Sequence, residues 1–319
     1  MTSPVRLYSN RVCSARSPSK GPPIHFIFLH GFLSHGNSLL SLARRLQRGC
    51  TLEEQCRQVE AITVDCRNHG LSPHTSSHTL DELVADINMW MEEKGYLIAE
   101  NTVPPNILAV GHSMGSLAWT KFLMNQENDS RREGRVFVSG LVSLDMPPLT
   151  GSLFPSSIEN ELSEYMNLMK KVNLSSIRDM RSAQEEFSRC GIKDRRVRDF
   201  FTTNIRIVRA NGKVESPALW KCNIPVLEKA LQRRSVFLSD TTIKNSAHCK
   251  IRVPILSVLG GLSPIGGDTK YHGLWNKSAV NVKEYVLQNA GHNLYYDKLE
   301  ETAQLIEDFV RGLDIQHNL

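Results

Sequence analysis

The pentapeptide Gly111-His112-Ser113-Met114-Gly115 constrains this chain more than any other stretch. It follows an apolar run, Ile107-Leu108-Ala109-Val110, and leads into a helical pattern over residues 117–125. G-x-S-x-G between a strand and a helix is a nucleophile elbow. On so tight a turn side chains at the flanking positions would clash, which requires glycine at both 111 and 115. The turn aims Ser113 Oγ out of the sheet and sets it at a helix N-terminus, where the dipole favours developing negative charge.

The surrounding pattern is of the same kind. Short apolar or β-branched runs at 24–29, 61–64, 107–110, 136–144, 253–259 and 282–286 read as strands. Helical patterns lie at 39–47, 80–91, 114–125 and 302–313, the second opened by Thr79 with Glu82 three residues on, a capping box. This alternation is the α/β signature, and crossover helices between strands imply a largely parallel sheet. The rhythm breaks between 147 and 248. There Ile158, Leu162, Tyr165, Met166, Met169 and Val172 keep a helical spacing, followed by a basic run (Lys193, Arg195, Arg196, Arg198) and the turn signal Asn211-Gly212. The expectation is a core formed by 1–146 and 249–319, with a helical lid inserted over 147–248.

The 319 residues suit one large domain or a domain with a sizeable insertion. No apolar stretch approaches the roughly 20 residues needed to span a bilayer, so no transmembrane segment is expected. The net charge of +5 hides an asymmetry: residues 1–52 hold seven Lys/Arg and no acid, while 151–250 hold 18 basic and 11 acidic residues. No basic run is interleaved with aromatics, which argues against a nucleic-acid partner. The basic middle segment reads as a solvated face or as a surface favouring anionic substrates or lipid. Seven cysteines, odd in number and without C-x-x-C spacing, argue against a zinc site or a disulfide framework and for a reducing compartment. The opening 20 residues are rich in Arg and Ser and free of acid, as in mitochondrial transit peptides. The competing reading makes residues 5–8 a first strand and leaves the chain cytoplasmic.

A serine needs a base to become a nucleophile. In the fold built around such an elbow the histidine comes last in the chain, in the loop after the final strand. His292, in Asn289-Ala290-Gly291-His292, stands there. His248 and His272 lack a strand directly before them, and His317 lies near the C-terminus. The oxyanion needs two backbone N–H donors. Met114 supplies one, and the loop His30-Gly31-Phe32-Leu33 after the first apolar run supplies the other, at Phe32.

The acid has two candidates. The loop Gly260-Gly261-Leu262-Ser263-Pro264 has no carboxylate until Asp268. Asp145, in Leu144-Asp145-Met146-Pro147, ends an apolar run at the level of Ser113 and is the preferred choice to orient the imidazole. The stretch Asp65-Cys66-Arg67-Asn68-His69-Gly70-Leu71-Ser72-Pro73-His74 reads as rigid support for the oxyanion loop, with Cys66 as packing.

Taken together, His30-Gly31, the Asp65–His74 stretch, Gly111–Gly115 and Asn289–His292 resemble the α/β-hydrolase superfamily. More narrowly, the chain is similar to the subfamily of α/β-hydrolase domain-containing protein eleven and to bacterial ybfF-type esterases, with Arg67-Asn68-His69-Gly70 and Ser72-Pro73-His74 the most specific match. The resemblance implies an α/β-hydrolase fold and a serine hydrolase acting on acyl esters, including acylglycerols. It also implies Ser113, His292 and the amides of Phe32 and Met114 as site groups, no metal or organic cofactor, and mitochondrial residence. In this subfamily the penultimate loop carries Gly-Gly-x-Ser in place of an acid, which favours Asp145. Ser116, Asn293 and the loop Leu33-Ser34-His35-Gly36 depart from the family pattern. Alternatives are an acyl thioesterase or C–C hydrolase using the same triad, and a binding protein that keeps the fold without catalysis.

Overall fold

A computed structural model describes residues 3–12, 23–49, 59–97, 105–128, 136–210, 213–214, 217–246 and 249–313. Seven strands form one sheet: β1 (Ser9–Arg11), β2 (Ile24–Leu29), β3 (Val59–Val64), β4 (Asn106–His112), β5 (Val138–Leu144), β6 (Ile255–Gly260) and β7 (Val282–Leu287). Their spatial order is β1-β3-β2-β4-β5-β6-β7, parallel throughout except for β1, which runs antiparallel along β3. The six strands anticipated from residue 24 onward are present, within a few residues of the boundaries read from sequence.

Residues 5–8 are not a strand. The amide of Val5 donates to Asp86 Oδ1 (2.7 Å) and that of Tyr8 to Ser72 Oγ (2.8 Å), so side chains take these two amides, while Tyr8 O accepts from Asp65 N at 2.9 Å. Ladder pairing begins only at Ser9, opposite Val64.

Alternation along the strands divides the core. Phe26, Phe28, Leu108, Val110, Val142 and Val258 pack with helices α1 (Leu40–Gly49) and α10 (Leu299–Arg311) on one face. Ile27, Leu29, Ile107, Ala109 and Leu141 pack on the other with α2 (Leu80–Glu93) and α3 (Met114–Asn128). Such two-sided burial explains why the central strands read as nearly unbroken apolar runs. The expected capping box forms: Thr79 Oγ1 accepts from Glu82 N, and Glu82 Oε2 accepts from Thr79 N.

Between β5 and β6 the chain forms α4 (Ser156–Lys171), α5 (Met180–Arg189), α6 (Arg195–Thr203), α7 (Ile224–Gln232) and α8 (Asp240–Ser246). The apolar stripe of α4 buries Ile158, Met166 and Met169, with Leu162 and Tyr165 half-buried. Arg209–Ala210 pairs antiparallel with Lys213–Val214. The turn signal Asn211-Gly212 between them lies outside the described residues, as do Cys13, Cys50, Cys56, His248 and His317.

The register decides where chemistry can occur. Leu29 pairs with Val64 and Gly111, His112 with Leu144, Leu144 with Val258, and Gly260 with Leu287. The residues that leave these strands therefore emerge together at the carboxyl edge of the sheet, the usual ligand side of an open α/β sheet. No helix among the described residues is long and apolar enough to cross a membrane.

Candidate active site

Ser113 adopts φ +52°, the left-handed region, on the turn between β4 and α3. Both flanking glycines are required by contact. A Cβ at Gly111 would lie 2.5 Å from Ser116 N, and one at Gly115 would lie 2.3 Å from Leu29 O. Gly31 is needed for the same reason: its Cβ would stand 2.8 Å from His112 Nδ1 and 3.2 Å from Ser113 Cβ. Ser116 ties the turn further, its hydroxyl donating to Gly111 O at 2.6 Å.

Asp145 is fully buried at φ +50° directly after β5. Its Oδ2 accepts from His292 Nδ1 at 2.6 Å and from Ser263 Oγ at 2.5 Å, while Oδ1 accepts from Gly260 N at 2.8 Å. Three donors converge on this fully buried carboxylate. Asp268 is elsewhere: it is half-exposed, caps a short 3-10 turn and pairs with Lys270 Nζ at 2.8 Å. Its carboxyl is held below the usual range first by the Lys270 side chain. The structure thus brings Asp145, not Asp268, to His292.

Sequence reasoning missed Ser263 as a partner of Asp145. The signal lay in the loop itself, which offers donors, Gly260 N–H and Ser263 O–H, at the level where an acid was sought.

His112, the second residue of the elbow, is buried, and its Nε2 donates to the backbone carbonyl of His292 at 2.9 Å. The two rings lie 4.8 Å apart, and Tyr295 packs edge-on to His112 at 4.9 Å. This contact ties the elbow to the loop that carries His292. Burial above all pushes the His112 pKa well below the usual histidine value. Among the described residues no hydrogen bond joins Ser113 Oγ to His292. Hydrogen bonds of this kind are commonly long without substrate and tighten when it binds.

The loop after β2 is fastened from below. Cys66 N donates to His30 Nε2 at 3.0 Å, which leaves the proton on Nδ1, and that proton goes to Gly31 O at 2.8 Å. In a planar trans peptide C=O and N–H point opposite ways. Holding the Gly31 carbonyl therefore also aims the Phe32 N–H. Asp65 clamps both neighbouring loops, accepting from Gly36 N (2.6 Å) and Leu71 N (2.8 Å). Arg67, buried completely, bridges Asp86 in a two-point contact (2.6 and 2.7 Å) and reaches Glu82 at 3.3 Å. Cys66 is buried, and desolvation raises its thiol pKa, as expected of a packing residue.

Ser113 opens on a small cleft lined mainly by apolar side chains. Phe32, Met114, Leu117 and Met146 line it from the core; Phe154, Leu162, Leu231, Val236 and Phe237 line it from the inserted segment. Among the described residues that line it, Ser113 alone carries a polar side chain. Both residues expected to supply oxyanion amides, Phe32 and Met114, are on its wall. Among the described residues no group of three or more His, Cys, Asp or Glu could hold a metal ion.

A mostly parallel sheet with a serine elbow, and a late histidine seated on a carboxylate, define an α/β-hydrolase. The chain belongs to the alpha/beta hydrolase family, whose model matches residues 26–305. It is 26% identical over 298 residues to the sn-1-specific diacylglycerol lipase ABHD11 of Xenopus laevis, covering 92% of this chain and 80% of that one. Among solved structures, a marine microorganism esterase superposes with a TM-score of 0.70 at 19% identity, over 96% of this chain and 99% of the other. The E-2-(acetamidomethylene)succinate hydrolase superposes with a TM-score of 0.64 at 17% identity, over 96% and 100%.

Proposed function

We propose that this chain is a serine esterase that cleaves esters of apolar acyl groups through an acyl-enzyme. The observation that carries this reading is the buried Asp145 carboxylate 2.6 Å from His292 Nδ1, at the strand edge where Ser113 faces a mainly apolar cleft. Asp145 fixes the imidazole with its proton on Nδ1, which leaves Nε2 free as a base.

Ser113 Oγ attacks the ester carbonyl as its proton passes to His292 Nε2. The carbonyl π electrons move onto oxygen, where the Phe32 and Met114 amides stabilise the oxyanion. Collapse of the adduct breaks the ester C–O bond, and the leaving alkoxide takes the proton from His292. Water then repeats the sequence on the acyl-enzyme and releases the acid. Asp145 remains a carboxylate throughout and stabilises the imidazolium each time it forms.

The cleft, walled by the core on one side and by the lid segment 147–248 on the other, supports an acyl chain as the group bound next to Ser113. The diacylglycerol lipase name of the similar frog protein adds support for glycerolipid esters among the substrates. Hydrolysis of p-nitrophenyl esters from acetate to palmitate tests the reading. An optimum at intermediate or long chains, abolished by Ser113→Ala, is expected; turnover that survives Ser113→Ala overturns it. The acid-free, Arg- and Ser-rich composition of residues 1–20 supports a mitochondrial location, with Ser9–Arg11 kept in the folded sheet. Residues 1–52 fused to a fluorescent protein should then give mitochondrial signal, and diffuse fluorescence overturns that placement.

A further inference from the structure

The oxyanion loop is held from two sides, and only one of them belongs to the core. Ser34 N donates to Gly31 O at 3.2 Å, closing a turn over Phe32 and Leu33. Leu33 stands at φ +57° and is fully buried. In the left-handed region the Cβ of a leucine crowds the following carbonyl oxygen, so this turn does not hold its shape by local preference. On the core side His30 fixes the Gly31 carbonyl.

On the other side stands Asn204, directly after α6 in the inserted segment and fully buried. Its Nδ2 donates to Leu33 O at 2.9 Å and to Phe200 O at 3.3 Å, and its Oδ1 accepts from Cys222 Sγ at 3.2 Å. The orientation of this amide is dictated chemically. Two carbonyl oxygens face one end, so only the NH2 can stand there, and the thiol proton requires the oxygen at the other. Lys221 N donates to Asn204 O at 2.8 Å, which ties the residue's own backbone to the antiparallel pair Ile205–Arg206 and Leu219–Trp220 that follows α6.

We propose that Asn204 is a positioning residue for the oxyanion hole, through which the inserted helices hold the Phe32 amide in its working direction. The inference rests on the serine-esterase reading and extends it: the helical insertion walls the acyl cleft and also completes the catalytic apparatus. Relaxation of Leu33 out of the left-handed region rotates its carbonyl away from Asn204 and remakes the turn on which the Phe32 N–H lies. Asn204 opposes that relaxation. Displacement of α6 from the core accordingly removes transition-state stabilisation before it removes substrate binding.

Asn204→Asp is the sharpest test, since it keeps the shape and turns a donor into an oxygen facing two carbonyls. Asn204→Ala removes the donor without repulsion and serves if the aspartate variant does not fold. Both are assayed on p-nitrophenyl esters and for binding of an alkyl boronic acid, which forms a tetrahedral adduct on a serine. They are also assayed for binding of the matching alkyl ether, which forms none. Losing one oxyanion donor outright costs roughly 10²–10³ in rate, so a misdirected one should lower kcat by roughly 10- to 100-fold. KM and ether binding should stay within about threefold, while boronate affinity falls in step with kcat. Unchanged kcat and boronate affinity overturn the proposal, as does an equal loss of boronate and ether binding, the mark of a cleft that has merely loosened. A wild type that neither turns over esters nor binds the boronate overturns the serine-esterase reading itself, and this inference with it.

Discussion

Asp145→Asn puts the assignment of the acid under the most stress. The carboxylate accepts from Gly260 N on Oδ1 and from both Ser263 Oγ and His292 Nδ1 on Oδ2. An asparagine of the same shape must keep its carbonyl toward Gly260 N, because two N–H donors cannot face each other there. Its NH2 then points at His292 Nδ1 and Ser263 Oγ. Nδ1 can remain within contact only as an acceptor, which moves the imidazole proton to Nε2, the nitrogen proposed to take the serine proton. Ser263 adapts freely, since a hydroxyl accepts as readily as it donates. The geometry survives while the base is lost. A tautomer reversal of this kind lowers kcat by about 10⁴, close to 5–6 kcal/mol of barrier. Steady-state hydrolysis of a p-nitrophenyl ester should show that loss in kcat with little change in KM, and the melting temperature should move by only a few degrees. Asp268→Asn, which breaks an exposed pair with Lys270, should be silent. An Asp145→Asn enzyme within tenfold of wild type, or a crippled Asp268→Asn, refutes the reasoning.

Three further outcomes follow from the same structure. Gly115→Ala drives a Cβ to 2.3 Å from Leu29 O and 2.8 Å from Leu29 Cβ, backbone and core that cannot retreat. It should cost about 3 kcal/mol or more, read as a lower urea midpoint, and a wild-type midpoint contradicts the elbow geometry. Acid should unfold the protein early. Burial holds His35 to about 4 and His78 to about 3, whereas the unfolded chain protonates near 6.5. Their contribution is therefore whole above 6.5 and is lost as pH falls, at about 1 kcal/mol per pH unit for each histidine down to its folded value. Urea midpoints that are flat between pH 7 and 4.5 contradict this. Phe237→Ala removes one ring of the Phe154–Phe237 pair, whose centroids are 4.5 Å apart on the cleft wall, and should shift the ester optimum toward longer chains. An unchanged chain-length profile places the acyl group elsewhere.

The sheet was legible because its central strands are buried on both faces, so their apolar runs are continuous and their ends coincide with the chemistry. Asp145 could be read for the same reason: the register that pairs His112 with Leu144 puts the next residue beside the elbow. Residues 5–8 fall just short of the first strand because the amides of Val5 and Tyr8 go to Asp86 and Ser72, side-chain partners that no strand pattern announces. Ser263 escaped notice because a donor to a buried acid has no motif of its own. Asn204 escaped for a different reason. It lies 171 residues from the carbonyl it holds, and a single asparagine after a short basic helix reads as an ordinary helix end. The strain at Leu33 that gives it meaning is visible only in three dimensions.

The central claim is that Ser113 is a nucleophile in an assembled site. Fluorophosphonate labelling followed by intact-mass analysis tests it most directly, with wild type beside Ser113→Ala. A single adduct on wild type, mapped to the peptide carrying Gly111–Gly115 and absent from the alanine variant, is the expected result. A well-folded wild type that takes no label, or that labels equally without the hydroxyl of Ser113, contradicts the account.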